Sequence, residues 1–280
     1  MKPSYILALV AALFTAAPVE AQTPAPAMVA PTINMRNADP LDRAPQVLDM
    51  QLFGPGVVEA NPQNWPATLV FRNPTGGGCT ATIVGARVVL TAAHCMPNNA
   101  TSTVQTRFGA MSMVCAHHPR YPADISADFA LCFTAEALDP PAGGFEVLNA
   151  DVSMPMLGGR VRLLGFGCRT PGGNDASFGK LYEGNATVSH HDQGTYVVTR
   201  GGAALCFGDS GGGAYLTVDQ AGAQRRLFAI NSRGDINTYS WLSTTAGPLF
   251  RGWAQQWAAN PAHIGAAICG LTPGASDCRQ

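Results

Sequence analysis

CFGDSGGG, Cys206–Gly213, places four glycines, one acid and one serine in eight residues, directly after a cysteine. Each glycine in a regular element costs roughly 0.5–1 kcal/mol of backbone entropy. So dense a cluster implies a backbone shape, or a close approach to another molecule, that a Cβ would block. A serine in such a place is a candidate nucleophile. Its hydroxyl is weak at its free pKa and needs a base within hydrogen-bond reach.

Two other stretches supply the partners. LTAAHC (Leu90–Cys95) carries His94, and ISADFALC (Ile125–Cys132) carries Asp128. Taken singly, His94 reads equally well as a packed core histidine and Asp128 as a turn residue. Together, in the order His, Asp, Ser, the three stretches resemble the trypsin/chymotrypsin family of serine proteases over roughly residues 57–260. The resemblance implies that Ser210 is the nucleophile and His94 its general base, since an imidazole titrates near neutrality. It implies that Asp128 holds the imidazole tautomer and steadies the cation. The backbone N–H groups of Gly208 and Ser210 would form the oxyanion hole, where losing one donor costs about 10²–10³ in rate. The glycines then make sense. Gly208 permits a turn that most residues resist, and Gly211 and Gly212 let the chain leave the site close to its neighbours. Asp124 is a rival carboxylate, but only Asp128 precedes the FALC run.

The same resemblance locates the substrate pocket. Its floor falls on Ala204 and Leu205, where trypsin-like members carry an aspartate; no carboxylate is available here for Arg or Lys. Its wall falls on Ser232, Arg233 and Gly234, within NSRG (Asn231–Gly234). Arg233 stands where the family usually has an aromatic residue. It reads either as a solvated strand-end charge near Asp235 or as a group that favours acidic residues in the peptide. Asp209 corresponds to the family's internal ion-pair partner, which receives an N-terminal amine freed by cleavage. The candidate new terminus is near Val57, although GPG (Gly54–Gly56) precedes it and Glu59 and Ala60 replace the family's glycines. The other reading is a chain that is active uncut, with Asp209 hydrogen-bonded internally.

Composition agrees with an exported, folded protein. Of 280 residues, 46% are hydrophobic and 12% charged, so a sizeable core is available and disorder of the main body is disfavoured. A net charge of -1 suggests neither a nucleic-acid nor a membrane-surface partner. Lys2, the 13-residue apolar stretch Tyr5–Ala17 and the small-residue site Val19–Ala21 read as a signal peptide over 1–21. That stretch is too short to span a bilayer, which takes about 20 residues. Periplasmic or secreted fate follows, and in such compartments eight cysteines default to disulfides. Eight cysteines allow 105 connectivities. The resemblance implies a Cys79–Cys95 bridge that staples the catalytic histidine. Cys115–Cys132 is expected near Asp128, Cys168–Cys206 beside the serine loop, and Cys269–Cys278 in the tail. With no C-x-x-C pair and no Cys/His cluster at zinc spacing, no metal and no cofactor are expected. His117–His118 and His190–His191 are expected to be solvated loop histidines.

Residues 22–56, Pro/Ala-rich and without hydrophobic periodicity, read as a linker or pro-segment. Short apolar runs cut by turns follow: PATLVFR (Pro66–Arg72), TATIVG (Thr80–Gly85), RVVLTAA (Arg87–Ala93), RVRLLGFG (Arg160–Gly167), TYVVT (Thr195–Thr199) and RRLFAIN (Arg225–Asn231). Gly85–Arg87 reads as a hairpin turn. In Gly247–Asn260 apolar residues recur at helical spacing, ahead of Pro261. The expected fold is all-β: two packed antiparallel β-barrels, residues 57–138 and 139–260, the second ending in an α-helix, then a disulfide-closed tail, 261–280. The expected function is that of a monomeric serine endopeptidase acting on peptides or proteins. A non-catalytic binding protein on the same fold and an esterase using the same triad are the alternatives.

Overall fold

The computed structural model describes residues 32–33, 52–72, 77–106, 109–149, 154–168, 179–192, 195–216 and 225–279. The signal-peptide reading of 1–21 lies outside the described residues, as does most of the segment read as a linker.

Two short strands come first, β1 (Thr32–Ile33) and β2 (Val58–Glu59). The next six are β3 (Thr68–Arg72), β4 (Gly78–Gly85), β5 (Val88–Thr91), β6 (Thr101–Thr106), β7 (Gly109–His117) and β8 (Ala130–Thr134). They close an antiparallel barrel in the order β3-β4-β5-β8-β7-β6. β9 (Ala137–Leu138) leaves this barrel and pairs with β1. Six more follow: β10 (Arg160–Gly165), β11 (Tyr182–Asp192), β12 (Tyr196–Gly202), β13 (Gly213–Leu216), β14 (Arg226–Gly234) and β15 (Tyr239–Thr244). Their order is β10-β13-β14-β15-β12-β11, and pairing of β10 with β11 closes the second barrel. The helix α1 (Pro248–Ala258) comes last. The fold is the all-β, two-barrel architecture with a C-terminal helix that the sequence leads one to expect.

Side-chain patterns explain the strands. β4 and β5 are buried along almost their whole length, with Ile83, Val84, Val88 and Leu90 at 0% exposure. Each such side chain is worth about 1.5–3 kcal/mol. β6 instead alternates, with Ser102, Val104 and Thr106 turned inward. α1 starts with Pro248 in its first turn, a position where the missing N–H costs nothing. Its buried face, Phe250, Ala254 and Trp257, returns to the first barrel, where Phe250 packs edge-on against Phe129 at 5.0 Å.

Two segments sit elsewhere than their place in the chain suggests. β2, in the range assigned to the first barrel, pairs with β11 of the second. Just upstream, in the range read as a linker, Leu52 is fully buried in the second barrel's core, and Phe53 exchanges two backbone hydrogen bonds with Ala204, at 3.0 and 2.7 Å. Burial of Leu52 and this bridge tie the segment to the second barrel. The tail, closed by the Cys269–Cys278 disulfide, is stitched to both halves: Cys269 N–H donates to Val84 at 2.8 Å and Leu148 N–H donates to Cys269 at 2.9 Å.

Candidate active site

His94 lies in a single 3₁₀ turn, Ala93–Cys95, that follows β5. Its neighbours Ala93 and Cys95 are buried, and a disulfide joins Cys95 to Cys79 on β4. With both flanks fixed, only the imidazole faces out, at 37% side-chain exposure. Asp128 ends a second 3₁₀ turn, Ile125–Ala127, which Asp124 caps by accepting from the Ser126 N–H at 3.0 Å and the Ser126 hydroxyl at 2.6 Å. Asp124 also pairs with Arg120 at 2.9 Å, so it is occupied in the turn rather than at His94. Cys115–Cys132 bridges β7 to β8 just beyond Asp128.

Asp128 is fully buried and accepts three hydrogen bonds. His94 Nδ1 is 2.7 Å from Oδ2, the His94 backbone N–H is 3.0 Å from Oδ1, and the Ser232 hydroxyl donates to Oδ2 at 2.7 Å. Burial by itself pushes this carboxyl up. The hydrogen bonds and charge of His94, with the Ser232 hydroxyl, outweigh it and hold the pKa below the ordinary carboxylate value.

Ser210 belongs to the second barrel but leans on the first. Its carbonyl accepts from the Thr80 N–H at 2.8 Å, and the Thr80 hydroxyl donates to the Gly208 carbonyl at 2.8 Å. Here the glycine cluster finds its reason. Gly208 has φ +96°, which other residues rarely adopt. Gly211 has φ +81°, and a Cβ on it would lie 2.1 Å from Thr91 Oγ1 and 2.2 Å from the Thr80 carbonyl. Among the described residues no protein acceptor takes the N–H of Gly208 or Ser210.

Asp209, directly before Ser210, is fully buried and lies among backbone donors. Among the described residues its partners are two backbone N–H groups, Gly167 to Oδ1 and Cys206 to Oδ2, both at 2.8 Å. Gly165 and Gly167 form the slot: a Cβ on either would lie 2.0 or 2.4 Å from the carboxylate. Burial without a cation pushes the Asp209 pKa up to about 8. The GFGC run (Gly165–Cys168) therefore clamps the serine loop. It donates to Asp209, joins Cys206 through the Cys168–Cys206 disulfide, and donates from the Cys168 N–H to the Phe207 carbonyl at 3.0 Å.

A cavity of about 360 Å³ lies in front of these groups, lined by His94, Ser210, Leu205, Cys206, Phe207, Ser232, Arg233, Gly234 and Ile236. Of the two residues expected at the pocket floor, Ala204 is buried, bridged to Phe53 and not among the lining residues. Leu205 lines the cavity, with its N–H on the Ser240 hydroxyl at 2.9 Å. Phe207, 53% exposed, and Ile236 are lining residues that the sequence reading passed over. Phe207 lay inside the motif itself, where an apolar side chain between a cysteine and a φ-positive glycine was the available signal. Ile236 gave none, since its turn is set by its own positive φ, +57°.

Of the four histidines read as solvated loop groups, His190 and His191 are exposed but lie on strand β11, His117 lies on β7, and His118 is buried. His117 bonds the Met96 carbonyl at 2.7 Å, and His191 bonds that of Pro155 at 3.1 Å. His118 is buried against Phe129 and Trp253, and that burial lowers its pKa. Cys79, His94 and Cys95 cluster as metal ligands do, but the two sulfurs are bonded to each other.

A His–Asp pair from one six-stranded barrel, facing a serine loop from another, is the arrangement of the chymotrypsin-like serine proteases. The chain belongs to the trypsin family: the family profile described as Trypsin matches residues 55–239. Mouse (Mus musculus) neutrophil elastase is 28% identical over 193 residues, covering 60% of this chain and 73% of that protein. Human heparin binding protein shares the fold, with a TM-score of 0.57 at 20% identity over 74% of this chain and 97% of that one. A mutant of the same human protein gives 0.60 at 20% identity, over 76% and 99%.

Proposed function

We propose that the protein is an exported serine endopeptidase that cleaves peptide bonds through Ser210, His94 and Asp128 and an acyl-enzyme intermediate. The observation that carries this reading is the 2.7 Å His94–Asp128 hydrogen bond opening onto the same cavity as Ser210. A buried carboxylate can only accept, so His94 Nδ1 carries the proton and Nε2 is left as the base. Nε2 takes the proton of the Ser210 hydroxyl as its oxygen attacks the peptide carbonyl. The developing oxyanion meets the N–H groups of Gly208 and Ser210, which no protein acceptor occupies among the described residues. The imidazolium then protonates the leaving amine, and water repeats the sequence to release the acyl group.

Substrate placement follows from β14. β13 covers it as far as Ile230, and beyond Asn231 β15 is the strand that pairs with it among the described residues. The free edge Ser232–Gly234 fronts the cavity and suits an extended peptide added as a strand. The pocket next to Ser210 is walled by Leu205, Phe207 and Ile236, with no carboxylate among its lining residues. A buried Arg or Lys side chain would lie there unpaired at high cost, so the reading is a peptidase not specific for Arg or Lys at P1, the residue whose carbonyl is attacked. Four disulfides fit folding in an oxidising compartment, and no helix among the described residues is long and apolar enough to cross a membrane.

The test is a peptide-library digest by the purified protein, with products identified by mass. Internal cleavage mostly after uncharged residues is the expected result. Mostly Arg or Lys at P1 would misplace the pocket, and turnover of simple esters without any peptide product would make the protein an esterase.

A further inference from the structure

We propose that Arg233 is a specificity-determining residue that selects an acidic side chain in the substrate, at the residue preceding P1. The inference rests on the peptidase reading and adds to it the chemistry of a second subsite. Arg233 is exposed and lines the cavity beside His94 and Ser210. Its guanidinium is held without being neutralised. One nitrogen donates to the Ile125 carbonyl at 3.5 Å, and the group lies 5.8 Å from the centre of the Tyr196 ring. Tyr196 is itself fixed, its hydroxyl donating to the same carbonyl at 2.6 Å and lying 3.2 Å from the Ser232 hydroxyl.

Among the described residues, three aspartates close to Arg233 in the chain or beside the turn it touches have other work. Asp235, two residues on, accepts from the N–H groups of Asn237, Thr238 and Tyr239 at 3.0, 2.7 and 2.8 Å. Asp124 is paired with Arg120, and Asp128 is buried under His94 and Ser232. Among the described residues Arg233 forms no ion pair. The cavity therefore presents one fixed cation, and no lining carboxylate opposes it.

Register decides which substrate residue meets it. On β14 the Ser232 hydroxyl turns toward Asp128, and a bulge between Asn231 and Arg233 sets the guanidinium beside the Ile125 carbonyl and the Tyr196 ring, next along the edge that would receive the peptide. A peptide whose P1 residue lies against Ser232 brings the preceding residue, P2, alongside Arg233. A carboxylate there receives a planar, preorganised fork of donors. The site is open to solvent, so a preference of roughly five-fold is expected, the upper end for exposed pairs.

The experiment compares kcat/KM for peptides that share one P1 residue and carry Glu, Gln or Lys at P2, P3 or P4. Wild-type enzyme is expected to favour Glu over Gln about five-fold at P2, an advantage that shrinks as salt rises. Arg233→Gln is expected to bring the Glu/Gln ratio close to one, Arg233→Glu to favour Lys, and Arg233→Lys to keep part of the preference. Each ratio is read within one enzyme, so a general loss of rate or fold does not imitate a loss of preference. A wild-type enzyme indifferent to charge at all three positions, or an Arg233→Gln enzyme that keeps the preference for Glu, would overturn the subsite alone. No hydrolysis of any peptide, together with a Ser210 inert to a fluorophosphonate, would overturn the peptidase reading and the subsite with it.

Discussion

Two aspartates, both fully buried, are pushed in opposite directions by their neighbours. Asp128 gains three hydrogen bonds, one pair of them from His94, and is held below the ordinary range despite its burial. Among the described residues Asp209 has only two backbone N–H groups against the same burial, and it rises to about 8. The sign of the consequence is definite. An aspartate in the unfolded chain titrates near 3.9, so between that pH and about 8 the folded state retains a proton that the unfolded state has lost. Asp209 therefore subtracts stability progressively as pH rises through this window, and no further above it. Urea midpoints are expected to fall from pH 5 to pH 8.5 in wild type, and Asp209→Asn is expected to flatten that slope. A midpoint that rises over the window in wild type, with the rise lost in Asp209→Asn, would mean that Asp209 is ionised in the fold and has a cation beside it. Sequence could name Asp209 from its place before Ser210, but not its partners, because the amides that meet it come from Gly167 and Cys206 and depend on how two loops close.

At the scale of elements, apolar runs were legible and polar strands were not. β4, β5, β10, β12, β14 and α1 coincide with the runs that periodicity picks out, because each buries a continuous or regularly spaced apolar face. β11 reads YEGNATVSHHD, a composition of turns, yet Gly184 is there because a Cβ would lie 2.7 Å from that of Ala203. β6, TSTVQT, alternates with only one apolar residue. The docked segment Leu52–Phe53 was also hidden. Its apolar signal is two residues long, and its partner, Ala204, lies far along the chain. Leu52→Ala is expected to cost about 2–4 kcal/mol of unfolding free energy, as a truncated core leucine does. Val57, the start suggested by resemblance, follows this segment rather than opening it. N-terminal sequencing of active enzyme is expected to return Leu52 or an earlier residue. A fully active form beginning at Val57 would mean that Leu52 and the Phe53–Ala204 bridge are dispensable.

Over the whole molecule, the site is a product of the joint between barrels. The first barrel supplies His94 and Asp128 and, through Thr80 and Thr91, the surface against which Gly208–Gly211 is moulded. The second supplies Ser210, the open edge of β14 and Ser232, whose hydroxyl crosses the joint to Asp128 at 2.7 Å. A peptide laid along β14, as proposed, would touch both halves at once. If the three side chains act as one unit, their removal is not additive. The measurement that tests this most directly is kcat/KM on one good peptide for wild type, Ser210→Ala, His94→Ala and the double variant. Each single change is expected to remove nearly all activity, and the double variant to be little slower than either. Wild-type-like turnover by Ser210→Ala would contradict the account.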